Sequence, residues 1–141
     1  MFHTMAEKVR ADRYSECREG LFRAVTLIGA NLPCPECAEH AQRYLGSVDW
    51  SLLRSKDDFR RFLCDFHNNV NARKGFASFD PANLAERYAT AQVGPAVTRA
   101  LFYFQGKHAV RNMALVPNTM TRDRTVIAVR AWFSENAALF L

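Results

Sequence analysis

The sequence predicts an all-α fold, a bundle of helices joined by short loops, and three observations carry that prediction. Apolar residues recur every three or four positions through most of the chain, the spacing that builds one buried helix face. Helix-start signals precede several of these runs: Pro35, Ser55 with Asp58 three residues on, and Asp80-Pro81. Glycines stand where the runs end, at Gly46, Gly75 and Gly106.

Residues 1–9 read as the end of a helix, with Phe2, Met5, Ala6 and Val9 in register, so a segment is expected before Met1. Tyr14 to Ala30 follows, with Cys17, Leu21, Val25 and Ile28 as its buried stripe and Gly29 and Asn31 near its stop. Pro33 and Pro35 interrupt the chain. Pro35 suits the first turn of the next helix, where its missing N–H has no intrahelical acceptor in any case, and that helix runs through Cys37, Ala38, Ala41 and Leu45 to Gly46. Residues 47–53 are a connection anchored by Trp50. Ser55 and Asp58 form a capping box opening a helix to about Arg73, whose core face is Phe59, Phe62, Leu63, Phe66 and Val70. Asp80-Pro81 predicts a helix through Leu84, Tyr88 and Ala91, and Gly94-Pro95 predicts a break. Val97, Leu101 and Phe104 predict one more helix. Residues 125–133 fit either a helix or, by alternation, a strand; Thr121 as a cap and Asp123 in the first turn favour helix.

A chain of 141 residues with 49% hydrophobic content is long enough for one self-sufficient core. No run of eighteen apolar residues predicts a membrane span, and no apolar signal segment opens the chain, so the compartment is left unknown. The net charge of +5 falls mostly in residues 92–141, which hold six basic and two acidic side chains. Those basic residues are dispersed, which argues against nucleic-acid binding. Four cysteines are too few for a disulfide scaffold and suit one redox or metal pair with two others.

The chemistry concentrates in two stretches. Cys34-Pro35-Glu36-Cys37 places two thiols at a helix N-terminus, where the helix dipole and free N–H groups stabilise a thiolate and make the pair easy to cycle between dithiol and disulfide. Further on, Cys64, His67, Asn71 and Lys74 share one face of the Ser55 helix beside its apolar stripe. Burying such groups costs energy unless they bond something, and that something can be a ligand. A zinc ion held by Cys34, Cys37, Cys64 and His67 competes, because Cys-x2-Cys and Cys-x2-His are familiar ligand spacings. The two asparagines Asn68 and Asn71 then have no role.

Leu32-Pro33-Cys34-Pro35-Glu36-Cys37, then His67-Asn68-Asn69-Val70-Asn71, Phe79-Asp80 and Glu86-Arg87-Tyr88 resemble the Erv/ALR family of flavin-linked sulfhydryl oxidases. The opening Phe2-His3-Thr4-Met5-Ala6 is similar to that family's Leu-His-Thr-Met-Ala, and His40 resembles its viral members. The resemblance covers about residues 1–90. It implies a four-helix bundle over residues 1–91 that binds FAD, pairs as a homodimer and passes electrons from protein thiols to oxygen with release of hydrogen peroxide. By position, Cys34 would be attacked by substrate and Cys37 would lie against the flavin as a thiolate. His3, Cys64, His67, Asn68, Val70, Asn71, Lys74 and Tyr88 would contact FAD, with no metal. A viral origin would put the protein in the host cytoplasm or the virion.

The chain departs from that pattern in several places. The family's opening Trp falls before Met1, Phe76 stands where a lysine is usual, and Tyr88 stands where Trp is usual. Pro81 replaces a cysteine that would bridge to Cys64, so Cys64 is expected to be free or to find Cys17, and no second CxxC exists as a shuttle. Residues 92–141 have no counterpart and are expected to be helical, packed on the bundle or at a dimer interface. A member that keeps the fold for binding alone is the remaining alternative.

Overall fold

The computed structural model describes residues 1–106 and 119–141, which form helices joined by short connections. The α-helices are α1 (Phe2–Lys8), α2 (Tyr14–Ala30), α3 (Pro35–Gly46), α4 (Lys56–Arg73), α5 (Leu84–Arg87), α6 (Val93–Gln105) and α7 (Thr119–Asn136). Helix α2 packs on α3 and α7, α1 on α4, α5 and α6, and α6 on α7. Met5, Val9, Leu21, Phe59 and Leu101 are fully buried where these helices meet.

The start of α4 shows how the sequence fixes an element. Asp58 N–H donates to Ser55 Oγ at 3.1 Å while Asp58 Oδ2 accepts from Ser55 N–H at 2.9 Å, so two otherwise unpaired donors are satisfied. At its far end Gly75 takes φ 74°, and Phe76 N–H donates back to the Asn71 carbonyl at 2.8 Å. A residue with a Cβ would be strained there. Helix α2 ends on its own side chain, with Asn31 Nδ2 donating to the Leu27 carbonyl at 2.8 Å, and Gln42 of α3 donates to the Ala30 carbonyl at 3.1 Å. Glu7 fastens α1 to α4, receiving Arg60 Nε on its carboxylate at 2.6 Å and Lys56 Nζ on its carbonyl at 2.7 Å.

Three local expectations are corrected. Gly94-Pro95 is not a break but the first turn of α6, where a proline lacks only an N–H that no intrahelical carbonyl would accept. The segment after Asp80 is shorter than expected: a 3-10 turn over Pro81–Asn83, then α5, which stops at Arg87 and leaves Tyr88 as its C-cap. Thr121 lies inside α7 and does not cap it. The alternation in residues 125–133 is incidental, since Thr125, Val126 and Val129 are buried by helical spacing while Ile127 is 69% exposed.

The end of the chain returns to its beginning. Arg10 N–H donates to the Leu139 carbonyl at 2.9 Å and Leu141 N–H to the Lys8 carbonyl at 2.7 Å, pairing residues after α7 with the end of α1. No described helix is long and apolar enough to cross a membrane.

The indole of Trp132 on α7 lies directly over Gly20 on α2, where an added Cβ would stand 2.0 Å from Nε1. Gly20→Ala is therefore expected to destabilise the protein by about 1–3 kcal/mol despite alanine's better helix propensity. Thermal unfolding checks this against Gly46→Ala, which meets nothing within 4 Å and should leave the melting temperature unchanged or higher.

Candidate functional site

The dithiol sits at the start of α3. Cys34 is the N-cap, and its sulfur accepts the Cys37 backbone N–H at 3.3 Å, with Pro35 at the first helical position. Cys34 is exposed and Cys37 half-buried, and all four cysteines are free thiols. The Cys37 thiol donates to Cys34, and together with the Cys37 N–H this holds the Cys34 pKa below the ordinary cysteine value. Giving up that proton costs Cys37, whose pKa is pushed up, chiefly because its thiol is the donor to Cys34 and then by burial. The donors at the helix N-terminus thus favour a thiolate at Cys34 in the reduced pair without flavin; the thiolate that the resemblance puts at Cys37 is one lying against a bound flavin.

Behind the dithiol opens an apolar cleft of about 350 Å³ between α2, α3 and α4. Ile28, Leu32, Leu63 and Phe66 form its walls, Cys34 and Cys37 its rim on one side, and His67, Val70 and Lys74 the α4 side. Helices α2 and α3 pack closely along one wall of the cleft: at Gly29, which lines it with Ala41, a Cβ would fall 2.8 Å from a Leu45 methyl.

A second cavity, of about 280 Å³, lies across His67 and is lined by His3, Cys64, Asn71, Phe79, Leu84, Arg87 and Tyr88. His67 lines both cavities. The His67 ring pairs through Nδ1 with Nε2 of His3, and the His3 ring stacks on Tyr88 with centroids 5.5 Å apart. Burial, and then the His67 ring, push the His3 pKa down to about 4. The pKa of His67 is lowered as well, first by burial. Both rings are therefore neutral at pH 7. Nδ1 of His3 is buried with no hydrogen-bond partner, a vacancy that a polar ligand atom would fill.

The predicted site residues fall into three groups. Cys34, Cys37, His67, Val70 and Lys74 line the cleft, and His3, Cys64, His67, Asn71 and Tyr88 line the second cavity. Asn68 lines neither. Its amide clamps Phe79, with Oδ1 accepting the Phe79 N–H at 2.8 Å and Nδ2 donating to the Phe79 carbonyl at 2.9 Å. That clamp holds the loop after α4 against the second cavity.

Cys64 is buried beside the same carbonyl, its thiol 3.7 Å from the Phe79 oxygen, and burial raises its pKa. Cys17 instead bonds the Tyr14 carbonyl at 3.5 Å, so Cys17 and Cys64 are not paired. The zinc alternative is corrected here. Among the described residues no three His, Cys, Asp or Glu side chains converge: Cys64 faces the Phe79 carbonyl, and His67 is bonded to His3. Two features escaped the sequence. Arg73 reaches Glu36, the residue between the two cysteines, and Arg87 stacks over the Tyr88 ring at 5.9 Å. Both join residues distant in sequence or at a loop end, where periodicity carries no signal.

Alkylation of the reduced protein by iodoacetamide should modify Cys34 first. Its rate should rise with a midpoint below the roughly pH 8.5 of a free cysteine. Peptide mapping across pH checks this, and earlier modification of Cys37 would contradict it.

Comparison with known proteins identifies the family. The profile of the Erv1/Alr family matches residues 1–89. The chain is 39% identical over 57 residues, 36% of its length and 51% of the relative's, to protein 347L of Invertebrate iridescent virus 6, which carries the provisional name of an FAD-linked sulfhydryl oxidase. It is 32% identical over 72 residues, 50% of this chain and 49% of the relative, to 096R of Invertebrate iridescent virus 3, named in the same provisional way. It is also 29% identical over 73 residues, 52% of this chain and 38% of the relative, to the FAD-linked sulfhydryl oxidase ERV1 of Arabidopsis thaliana. The chain thus spans about half or less of the length of these relatives. No solved structure matches it. With a CxxC at the start of α3, the His67–Asn71 signature on α4 and the family profile over residues 1–89, the chain belongs to the Erv1/Alr family.

Proposed function

We propose that this chain is an FAD-dependent thiol oxidase that forms disulfides in thiol-bearing protein substrates. The observation that carries the reading is that the Cys34–Cys37 dithiol and His67 line one apolar cleft, while His3, whose buried Nδ1 has no partner, lines the second cavity that His67 shares. The names of the viral and plant relatives support the same chemistry.

The residues present fit FAD. Val70, His67 and Lys74 would hold it in the cleft, and His3, Cys64, Asn71 and Tyr88 in the second cavity, with Asn68 acting through the Phe79 loop. Bound FAD would supply the two-electron acceptor for the dithiol and a route from there to oxygen, which takes two electrons and two protons to become hydrogen peroxide.

The protein's own sulfurs carry the exchange steps. In the oxidised pair, a substrate thiolate attacks the sulfur of exposed Cys34, breaking the Cys34–Cys37 bond and releasing Cys37 as thiolate. A second substrate thiol then attacks the substrate sulfur of that mixed disulfide and releases Cys34. Cys37 takes up a proton given up by the substrate thiols, and its thiol and N–H then both donate to Cys34, which makes Cys34 a good leaving group. The substrate leaves with its own disulfide, and the enzyme keeps two electrons and two protons in its dithiol. Both sulfurs line the cleft, Cys34 exposed and Cys37 half-buried, so Cys34 is the one open to a protein thiol. The reading includes a second copy of this chain as a partner, in keeping with the family resemblance.

In an oxygen electrode with dithiothreitol and added FAD, wild-type protein should consume oxygen. Cys34→Ser and Cys37→Ser should each fall to background while still binding FAD. Wild-type turnover in the Cys37→Ser variant, or no oxygen uptake by the wild type, would refute the proposal.

A further inference from the structure

The cleft between α3 and α4 is bridged at two places. At its closed end the rings of Tyr44 and Phe66 stack with centroids 4.8 Å apart. At its open end Arg73, the last residue of α4, reaches across to Glu36. Its Nη1 donates to the Glu36 carbonyl at 3.3 Å and its Nη2 to the Glu36 carboxylate at 3.5 Å. Glu36 stands between Cys34 and Cys37, so this pair of contacts acts on the dithiol turn itself. The same helix carries His67 and Val70 on the cleft wall.

We propose that Arg73 is a positioning residue for the dithiol, gripping Glu36 across the mouth of the cleft and stabilising the reduced form of the Cys34–Cys37 pair. The inference rests on the redox role proposed above. Two effects act in the same direction. The grip ties the CxxC turn to the helix that forms the opposite wall. It also brings a guanidinium near Cys37 and partly offsets the Glu36 carboxylate, whose charge otherwise opposes a thiolate at Cys34. Arg73 and Lys74 both favour a thiolate at Cys37. Whatever stabilises the thiolate form makes a disulfide easier to reduce. Closure of the disulfide ring is set by the two residues between the cysteines, so it changes little when the grip is lost.

The contacts are long and partly exposed, with 39% of the Arg73 side chain accessible, so the effect is modest. The experiment uses flavin-free protein equilibrated in glutathione buffers, with the dithiol fraction read by mass after acid quenching. The reaction is protein dithiol plus oxidised glutathione giving protein disulfide plus two reduced glutathiones. Arg73→Ala should raise its equilibrium constant about two- to fivefold, as expected for an exposed charge pair. Arg73→Lys, which keeps the charge and one donor, should recover at least half of that shift. An unchanged constant in Arg73→Ala, or a shift in Arg73→Lys as large as in Arg73→Ala, overturns the proposal. Far-UV circular dichroism confirms that both variants fold. Neither flavin nor oxygen enters the measurement, so failure of the oxidase reading shows separately, as a wild type without oxygen uptake.

Discussion

Helix α4 carries two faces of different chemistry side by side, and the rest of the structure depends on how both are partnered. Phe59, Phe62 and Leu63 go into the core with Cys64, while half-buried Asn68 and the more exposed His67 carry polar atoms on the adjoining face. A polar group taken out of water without a partner costs on the order of 1–3 kcal/mol, and each of these is bonded. Phe79 supplies its carbonyl to Cys64 and both backbone groups to Asn68, which is why the loop after α4 folds back on it. His3 supplies the partner of His67, which fixes α1 against α4 together with the Glu7–Arg60 ion pair. The polar atom left over, Nδ1 of His3, is the one that points to a ligand.

The dithiol end obeys a different rule. A helix N-terminus has N–H groups to spare, and Cys34 occupies the cap position where serine or aspartate is usual. A thiolate is then stabilised by donors the helix must satisfy anyway. Proline at the next position removes one competing N–H and holds the turn. Close packing of α2 on α3 at Gly29 and Leu45 builds one wall of the apolar cleft behind the sulfurs. The apolar cleft and the thiol cap are thus two consequences of how α3 starts and how it lies on α2.

Much of this was legible because it is written in local pattern. The bounds of α2, α3 and α4 follow from periodicity with Pro35, the Ser55–Asp58 box and Gly75 as punctuation. The shared face of Cys64, His67, Asn71 and Lys74 follows from helical geometry alone. What was not legible depends on tertiary contacts or on the position of a residue within its turn. Gly94-Pro95 reads as a break in any sequence, and only its place in a first turn makes it a start. Asn68 reads as one of a polar row, yet its amide is spent on Phe79, eleven residues away. The Arg73–Glu36 contact joins residues 37 apart and leaves no mark on either helix's periodicity. The zinc reading failed for the same reason, since ligand spacing within each half does not say whether the halves meet.

The central claim is that the two cavities separated by His67 form one binding site for one FAD. Titration of FAD into flavin-free protein, followed by flavin fluorescence, tests it most directly. The account predicts one FAD per chain, and at least about tenfold weaker binding, some 1.4 kcal/mol, for both His67→Ala and Tyr88→Ala. No saturable binding by the wild type, or affinity unchanged in Tyr88→Ala, would contradict it.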